Sequence, residues 1–286
     1  MRYDYIMHPI RFPTRAAGGT RLLLDVQDNP GGYAVLASIL LEYLFPAFAN
    51  VEYPIQNPDT PLVTKMVRAS IKDLEKTSSF LSSPSQYYWF GFGANSSYPF
   101  YSSDGYFFPT TPLTYNGKTS QYSSFYSFVD RLGPPFGIDV LSPAYGDITP
   151  KFEMNQTMIL SNGDCYSTCS SFSYYMQEAG VKIISAGGSL GKPMAYSAGS
   201  AGYSYQLGYL LSNDLQYLNL TKDAEAPQPL PVQAFVGYTG AQAFSPQSST
   251  VPADFVFKPA DYRFSFTEAS VESVKALYKQ AATYFP

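Results

Sequence analysis

Histidine and cysteine are almost absent from this sequence. Its 286 residues include one histidine, His8, and two cysteines, Cys165 and Cys169. These residues do not supply the four ligands of a tetrahedral zinc site, so we expect no metal and no cofactor. The two cysteines are four residues apart across a predicted helical turn, where the directions of their side chains do not suit a disulfide. We therefore expect two packed, unbridged thiols.

Charge and long apolar runs are also sparse. Charged residues make up 14% of the chain, the net charge is −4, and the 18 Lys and Arg residues are scattered. A surface that tracks phosphates needs clustered cations, so nucleic acid is excluded as a partner. The longest apolar run, residues 33–51, contains Glu42 and Pro46. It predicts a buried helix rather than a membrane span.

Two strand and helix units are present. In the first, a strand at 22–26 leads through the glycine turn DNPGG into a helix at 33–45. In the second, a strand at 156–160 leads through NGDCYSTC into a helix at 168–179 and a strand at 181–186. Because strands joined in this way run parallel, the pattern predicts an α/β fold with helices against the faces of a sheet.

The remaining segments complete one predicted domain over residues 1–286. Residues 50–150 are rich in Pro, Ser, Tyr and Phe and predict an irregular, loop-rich insertion with a helix near Val63–Glu75. The last part predicts strands at 254–257 and 263–266, followed by a helix from about Glu268 to Tyr284. Thr267 is the predicted N-cap of that helix.

Three motifs in order resemble the tail-specific, C-terminal-processing serine peptidases, in particular the fungal branch related to the chlamydial protease-like activity factor. They are LLLDVQDNPGG, MILSNGDCYSTCSSF and VPADFVFKPADYRF, with GGSLGKPM between the last two. The resemblance spans about residues 22–267. It implies a crotonase-like or ClpP-like core with a twisted, largely parallel sheet flanked by helices, and a peptide or protein substrate. Because relatives carry a long region before the glycine turn, we expect an N-terminal part to be missing.

The resemblance places the nucleophile at Ser167, which follows a strand and opens a helix. The Thr168 N–H at the positive end of that helix is one predicted oxyanion donor. By resemblance, the second donor comes from Gly31 or Gly32, where a residue without a side chain lets the backbone approach a substrate. The structural alternatives are a helix-capping serine and a plain tight turn.

The base is less well defined. Lys192 lies 25 positions after Ser167 in a Gly-Lys dipeptide, which resembles the bacterial Ser–Lys dyad. Glu178 is a candidate to orient Lys192, and an exposed helical glutamate is the alternative. The fungal branch instead uses a histidine and a glutamate. His8 lies outside any matching motif, and Lys258 stands where that glutamate is expected, so we interpret both as surface residues.

Three functions follow from these residues. The first is a serine endopeptidase that works through an acyl-enzyme at Ser167. The second is a binding protein that keeps the cleft without a proton acceptor. The third is the C-terminal part of a peptidase whose histidine lies upstream. The first residues lack the apolar core of a signal peptide, so a secreted location is expected only if such a segment precedes them. Oligomeric state is left open.

Overall fold

The computed structural model describes residues 18–32, 37, 40–41, 44–45, 54–56, 60–66, 68–69, 110–123, 126–127, 152–189, 191–198, 203–229, 236–245 and 251–285. The chain divides into two units. The first comprises residues 1–50, 139–198 and 258–286, and the second comprises residues 51–138 and 199–257. The insertion expected at 50–150 therefore belongs largely to a unit that also includes a later stretch of the chain.

The described residues form ten strands. They are β1 (Leu22–Asp25), β2 (Pro54–Gln56), β3 (Thr111–Tyr115), β4 (Lys118–Tyr122), β5 (Tyr126–Ser127), β6 (Thr157–Ser161), β7 (Lys182–Ala186), β8 (Tyr203–Gln206), β9 (Gly237–Ala243) and β10 (Tyr262–Phe264). The helices of the first unit are α1 (Thr168–Glu178), α2 (Glu268–Glu272) and α3 (Val274–Ala282). The second unit has a helical stretch made of Leu207–Tyr209, Leu210–Asp214 and Leu215–Tyr217, and short 3-10 turns occur at Met154–Gln156 and Ala253–Phe255. Within the described ranges, no helix has the length and apolar character to cross a bilayer.

The first unit is built on a parallel sheet with strand order β1-β6-β7-β10. Both central strands are almost entirely buried, as expected for strands covered on two faces. Helix α1 connects β6 to β7 and packs against β7. On one face, side chains of β6, β7 and β10 form a core with α3: Met158, Leu160, Ile184, Ala186, Phe264, Leu277 and Ala281. The predicted α/β class with a largely parallel sheet is confirmed.

The end of the chain departs from prediction in two places. The strand predicted at 254–257 is wrong, because Ala253–Phe255 is a 3-10 turn and Phe257 is 61% exposed. The single helix predicted after Thr267 is interrupted at Ser273, which has an extended backbone and caps α3 by accepting a hydrogen bond from Ala276 N. Thr267 is the N-cap of α2, as predicted, and accepts a hydrogen bond from Ser270 N.

Two further predicted helices are described only in part. For the helix predicted at 33–45, residues 37, 40, 41 and 44 are helical and most of the others lie outside the described residues. For the one predicted near Val63–Glu75, residues 61–66 and 68–69 are helical and residues 70–75 lie outside.

The second unit is antiparallel where it is described. Its larger sheet has the order β5-β2-β9-β8, and β3 and β4 form a separate hairpin. Asn116 and Gly117 turn that hairpin with positive φ angles of 49° and 73°, the pattern of a tight two-residue turn. A partly buried ion pair between Lys65 Nζ and Asp223 Oδ1 (2.7 Å) joins distant parts of this unit, and the Lys65 hydrogen bond lowers the pKa of Asp223.

Candidate functional site

Ser167 stands in the turn that connects β6 to α1. It is the N-cap residue of α1, with φ 51° and ψ −122°, and it is half-buried. This backbone region is sparsely populated by residues other than glycine, and a residue held there typically costs about 1–3 kcal/mol. Ser167 makes no side-chain capping bond, and its Oγ has no hydrogen-bond partner among the described residues. The Ser167 hydroxyl is therefore not used in capping α1 and is available to interact with a bound molecule.

The glycine turn after β1 is hydrogen-bonded directly to the turn that contains Ser167. Asn29 N donates to Asp164 O (3.0 Å), and Tyr166 N donates to Asn29 O (3.0 Å). These bonds form an isolated parallel bridge between Asn29 and Cys165. Because parallel strands end at one edge of a sheet, the turns after β1 and β6 meet at the carboxyl edge, where α/β proteins commonly bind ligands.

Side chains reinforce this junction. Asn162 Nδ2 donates to Asp28 Oδ1 (2.7 Å), and Asn162 Oδ1 accepts from the N–H groups of Asp28 (3.3 Å) and Asp164 (3.0 Å). Asp28, like Ser167, has a positive φ. Asn29 and Asn162 were not among the predicted site residues. The sequence feature that could have indicated them is an Asn in each of the two turns, because Asn side chains readily hydrogen-bond nearby backbone N–H groups.

Gly31 lies against Ser167 with no room for a side chain. Its φ is +98°, and a Cβ built on it would lie 2.6 Å from Tyr166 O, 2.8 Å from Ser167 Cβ and 3.0 Å from Thr168 N. A side chain here would therefore collide with backbone and cover the Thr168 N–H. Gly31 thus keeps the space beside Ser167 open.

Of the predicted oxyanion donors, two are available. The Thr168 N–H, in the first turn of α1, and the Gly32 N–H have no hydrogen-bond partner in the part of the chain that the structure describes. The Gly31 N–H is already donated to Asn29 Oδ1 (2.8 Å). Thr168 Oγ1 also donates to Gly32 O (2.6 Å), so these two residues are held side by side.

Cys165 and Cys169 form a disulfide, so the expectation of unbridged thiols is wrong. Their Cα atoms are 5.4 Å apart, within the usual range. The prediction treated both cysteines as helical. In the structure Cys165 precedes α1 in the extended bridge to Asn29, and only Cys169 is helical. The positive φ of Ser167 lies between the two segments.

Lys192 is not at the Ser167 hydroxyl. Its side chain is exposed, and no hydrogen bond joins its Nζ to Ser167 Oγ. Its main-chain O accepts from Arg263 Nη1 (2.9 Å), and residues 191–194 line a pocket of about 390 Å³ together with residues 260–265. The Ser–Lys hydrogen bond that the spacing predicts is therefore not formed in the structure.

Glu178 is not positioned to orient Lys192. It forms a half-buried ion pair with Lys258, whose ammonium also lies over the Tyr174 ring, 3.8 Å from its centroid. Lys258 is thus not the solvated residue that the sequence suggested. Tyr196 is nearly buried, and burial, together with the negative charge of Glu178, raises its pKa. This cluster packs the far end of α1.

The loop after β7 is anchored by two side chains. The Arg263 guanidinium donates to the main-chain oxygens of Gly187 (2.5 Å), Gly188 (2.9 Å) and Lys192. Met194 fills the space above Gly188 and Gly163, so it connects this loop to the turn after β6. The segment that follows reaches the Ser167 turn and the start of α1: Ala198 N donates to Cys165 O (3.3 Å), and Ser197 and Ser170 share a hydrogen bond (2.6 Å).

Comparisons of the chain with protein-family models, with curated proteins and with solved structures returned no match. The described residues contain no group of three His, Cys, Asp or Glu side chains that could hold a metal ion. His8 lies outside the described residues. What the arrangement offers chemically is a serine hydroxyl, two open backbone N–H donors and a glycine that keeps access to them.

Proposed function

We propose that this chain is the core of a serine-type peptidase of the tail-specific family, with a crotonase-like or ClpP-like fold and Ser167 as nucleophile. The observation that carries the proposal is the conformation of Ser167, strained at the start of α1 and in contact with Gly31. Strained residues of this kind cluster at active sites, where the strain aims a side chain at its target. The motif resemblance supports the same assignment.

The proposed reaction is acyl transfer. Ser167 Oγ attacks the carbonyl carbon of a peptide bond, a C–O bond forms, and the carbonyl electron pair moves onto oxygen. The Thr168 and Gly32 N–H groups stabilise this oxyanion at the positive end of α1. Collapse of the tetrahedral intermediate breaks the C–N bond and expels the amine, which takes up the proton that Ser167 Oγ gave up. Water then attacks the ester, the C–O bond to Ser167 breaks, and a proton from that water returns to Ser167 Oγ.

A second candidate is a peptide-binding protein that has lost its base. The exposed Lys192 favours it, because no basic side chain among the described residues hydrogen-bonds Ser167 Oγ. A serine hydroxyl without a proton acceptor is a weak nucleophile. The same cleft would still bind a carbonyl or carboxylate through its backbone N–H groups.

Labelling with a fluorophosphonate probe distinguishes the two candidates. The peptidase proposal expects covalent modification of Ser167, located by peptide mass spectrometry and abolished in Ser167→Ala. A neighbouring-serine variant, Ser171→Ala, is the matched control and should still label. Absence of labelling at Ser167, in protein that still binds a peptide aldehyde or carboxylate, would favour the binding protein.

Lys192→Ala tests the base directly. The structure leads us to expect labelling within about twofold of the wild type, because the Lys192 side chain does not contact Ser167 Oγ. Loss of labelling in a folded Lys192→Ala protein would instead show that Lys192 reaches the site and acts as the base of a dyad.

The disulfide supports a proposed location outside the reducing cytosol. Disulfides persist in secreted and other oxidising compartments and are rare in the cytosol, where thiols are kept reduced. A free-thiol assay on protein purified from its native source under alkylating conditions tests this, because a cytosolic protein would show two free thiols.

A further inference from the structure

The disulfide encloses the residues that carry the proposed chemistry. Cys165 and Cys169 close a ring whose only other members are Tyr166, Ser167 and Thr168. Two of these three are the proposed nucleophile and an oxyanion donor. The disulfide itself is buried, since Cys165 and Cys169 are 0% and 5% exposed, whereas Tyr166 is 43% exposed and Ser167 and Thr168 are half-buried.

Each end of the ring is fixed to a different part of the unit. Cys165 is bridged to Asn29 of the glycine turn, and its carbonyl accepts a hydrogen bond from Ala198 N. Cys169 lies in the first turn of α1, and its N donates to Tyr166 O (3.0 Å). The covalent bond therefore sets the separation between the end of the β6 turn and the start of the helix.

Apart from the disulfide, the backbone of Ser167 is held on its helix side, where its carbonyl accepts hydrogen bonds from Ser171 N (2.9 Å) and Ser171 Oγ (3.3 Å). A non-glycine residue in its conformation persists only when its surroundings over-determine it. The Ser167 side chain contributes no capping bond, so the positive φ is not stabilised by its own hydroxyl. The short covalent ring restricts the alternative paths that the chain could take between Cys165 and Cys169.

We propose that the Cys165–Cys169 disulfide is the positioning element that holds Ser167 and the Thr168 N–H in their working arrangement, so that the site is competent only when oxidised. This inference rests on the proposed function for its catalytic consequence. A dithiol reductant would switch the site off: it gives two electrons and two protons to the disulfide, the two cysteines become thiols, and the dithiol becomes a disulfide.

The kinetic experiment compares oxidised, dithiothreitol-reduced and re-oxidised protein. Since removing one oxyanion donor typically costs on the order of 100-fold in rate, we expect reduction to lower the maximal rate of fluorophosphonate labelling by at least about tenfold, with little change in the half-saturating probe concentration. Re-oxidation should restore the rate. Cys165 and Cys169 are the only cysteines of the chain, so theirs is the only disulfide within the chain that the reductant can reduce.

Two variants separate positioning from general stability. Cys165→Ala/Cys169→Ala should label at the slow rate of the reduced protein and should not respond to dithiothreitol. Leu277→Ala creates a cavity in the core between α3 and the sheet, so it should lower the free energy of unfolding while the folded protein still labels at the wild-type rate.

Hydrogen exchange tests the conformation independently of labelling. Reduction should speed exchange of the amides of residues 166–171, whereas the amides of the buried strand β6 should be unaffected. If the protein never labels but this exchange still changes, the proposed function fails and the positioning role stands. Unchanged exchange, or reduced protein that labels within about twofold of oxidised protein, would overturn the inference.

Discussion

Gly31 and Gly32 are neighbours in sequence with opposite tolerance for a side chain. A Cβ on Gly31 would collide with the Tyr166 carbonyl and Ser167, at a positive φ, whereas a Cβ on Gly32 meets nothing within 4 Å. We predict that Gly31→Ala lowers the free energy of unfolding by at least about 2 kcal/mol, because both strain and overpacking oppose it. Labelling of Ser167 should fall on the order of 100-fold as the Thr168 donor is displaced.

Gly32→Ala is the matched control for this prediction. It adds a methyl group that meets no protein atom within 4 Å, so its free energy of unfolding should stay close to that of the wild type. Urea unfolding and labelling kinetics measure both variants. Equal effects of the two substitutions would contradict the close approach of Gly31 to Ser167.

At the residue scale, the sequence could indicate candidate residues that lie within short contiguous motifs. The motif resemblance pointed to Ser167 and the two glycines, and the order of strand, turn and helix around Ser167 pointed to the Thr168 N–H. The ion pair of Lys258 with Glu178 was missed, since its partners are 80 residues apart and no periodicity connects them. The disulfide was missed because it depends on the backbone conformation of Ser167, which residue spacing does not reveal.

At the scale of elements, the loop after β7 depends on one guanidinium. Arg263 donates to the oxygens of Gly187, Gly188 and Lys192, and charge-assisted bonds of this kind contribute more than neutral ones. We predict that Arg263→Met lowers the free energy of unfolding by about 2 kcal/mol, because it leaves three carbonyls without their partner.

Lys192→Ala is the control for Arg263→Met, because it removes an exposed side chain and keeps the main-chain oxygen that Arg263 binds. It should change the unfolding free energy by less than about 0.5 kcal/mol. Hydrogen exchange of residues 187–192 should speed up only in Arg263→Met. A fully stable Arg263→Met protein would show that the loop is held by other contacts, such as those of Met194.

Sequence patterns predicted the elements of the parallel sheet better than those of the second unit. Buried parallel strands such as β6 read as short apolar runs, and a glycine turn or helix follows each one. Strands β8 and β9 carry Tyr, Gln, Ser and Gly, so they have no apolar run to detect. The segment at 254–257 is mostly apolar, yet Phe255, Val256 and Phe257 are exposed and residues 253–255 form a 3-10 turn.

On the scale of the whole molecule, the abundance of tyrosine makes alkaline pH informative. The chain has 26 tyrosines. Burial raises the pKa of Tyr196 and of Tyr122, and the hydrogen bond to Asp25 raises that of Tyr278. The hydrogen bond and ion pair with Asp261 also raise the pKa of Lys182. Both units therefore contain groups whose protonated form is favoured by folding.

The sign of the pH dependence follows from these shifts. Each folded pKa lies above its unfolded value, 10.0 for tyrosine and 10.5 for lysine, so the stabilisation is complete below about pH 10 and is lost as pH rises further. We predict a free energy of unfolding that is steady up to about pH 9.5 and then falls steeply. Tyr196→Phe should flatten that fall, because it removes a nearly buried hydroxyl that ionises only on unfolding.

Tyr166→Phe, at a residue that is 43% exposed, is the control for loss of a tyrosine hydroxyl outside the surroundings of Tyr196. Urea unfolding between pH 8 and 11.5, followed by circular dichroism, gives the slope, and absorbance at 295 nm counts the tyrosines that ionise. Because the slope measures the difference in bound protons between the unfolded and folded states, a buried Tyr196 contributes to it only if it stays protonated in the folded protein. A Tyr196→Phe protein that loses stability as steeply as the wild type would contradict the burial of Tyr196, which is 3% exposed.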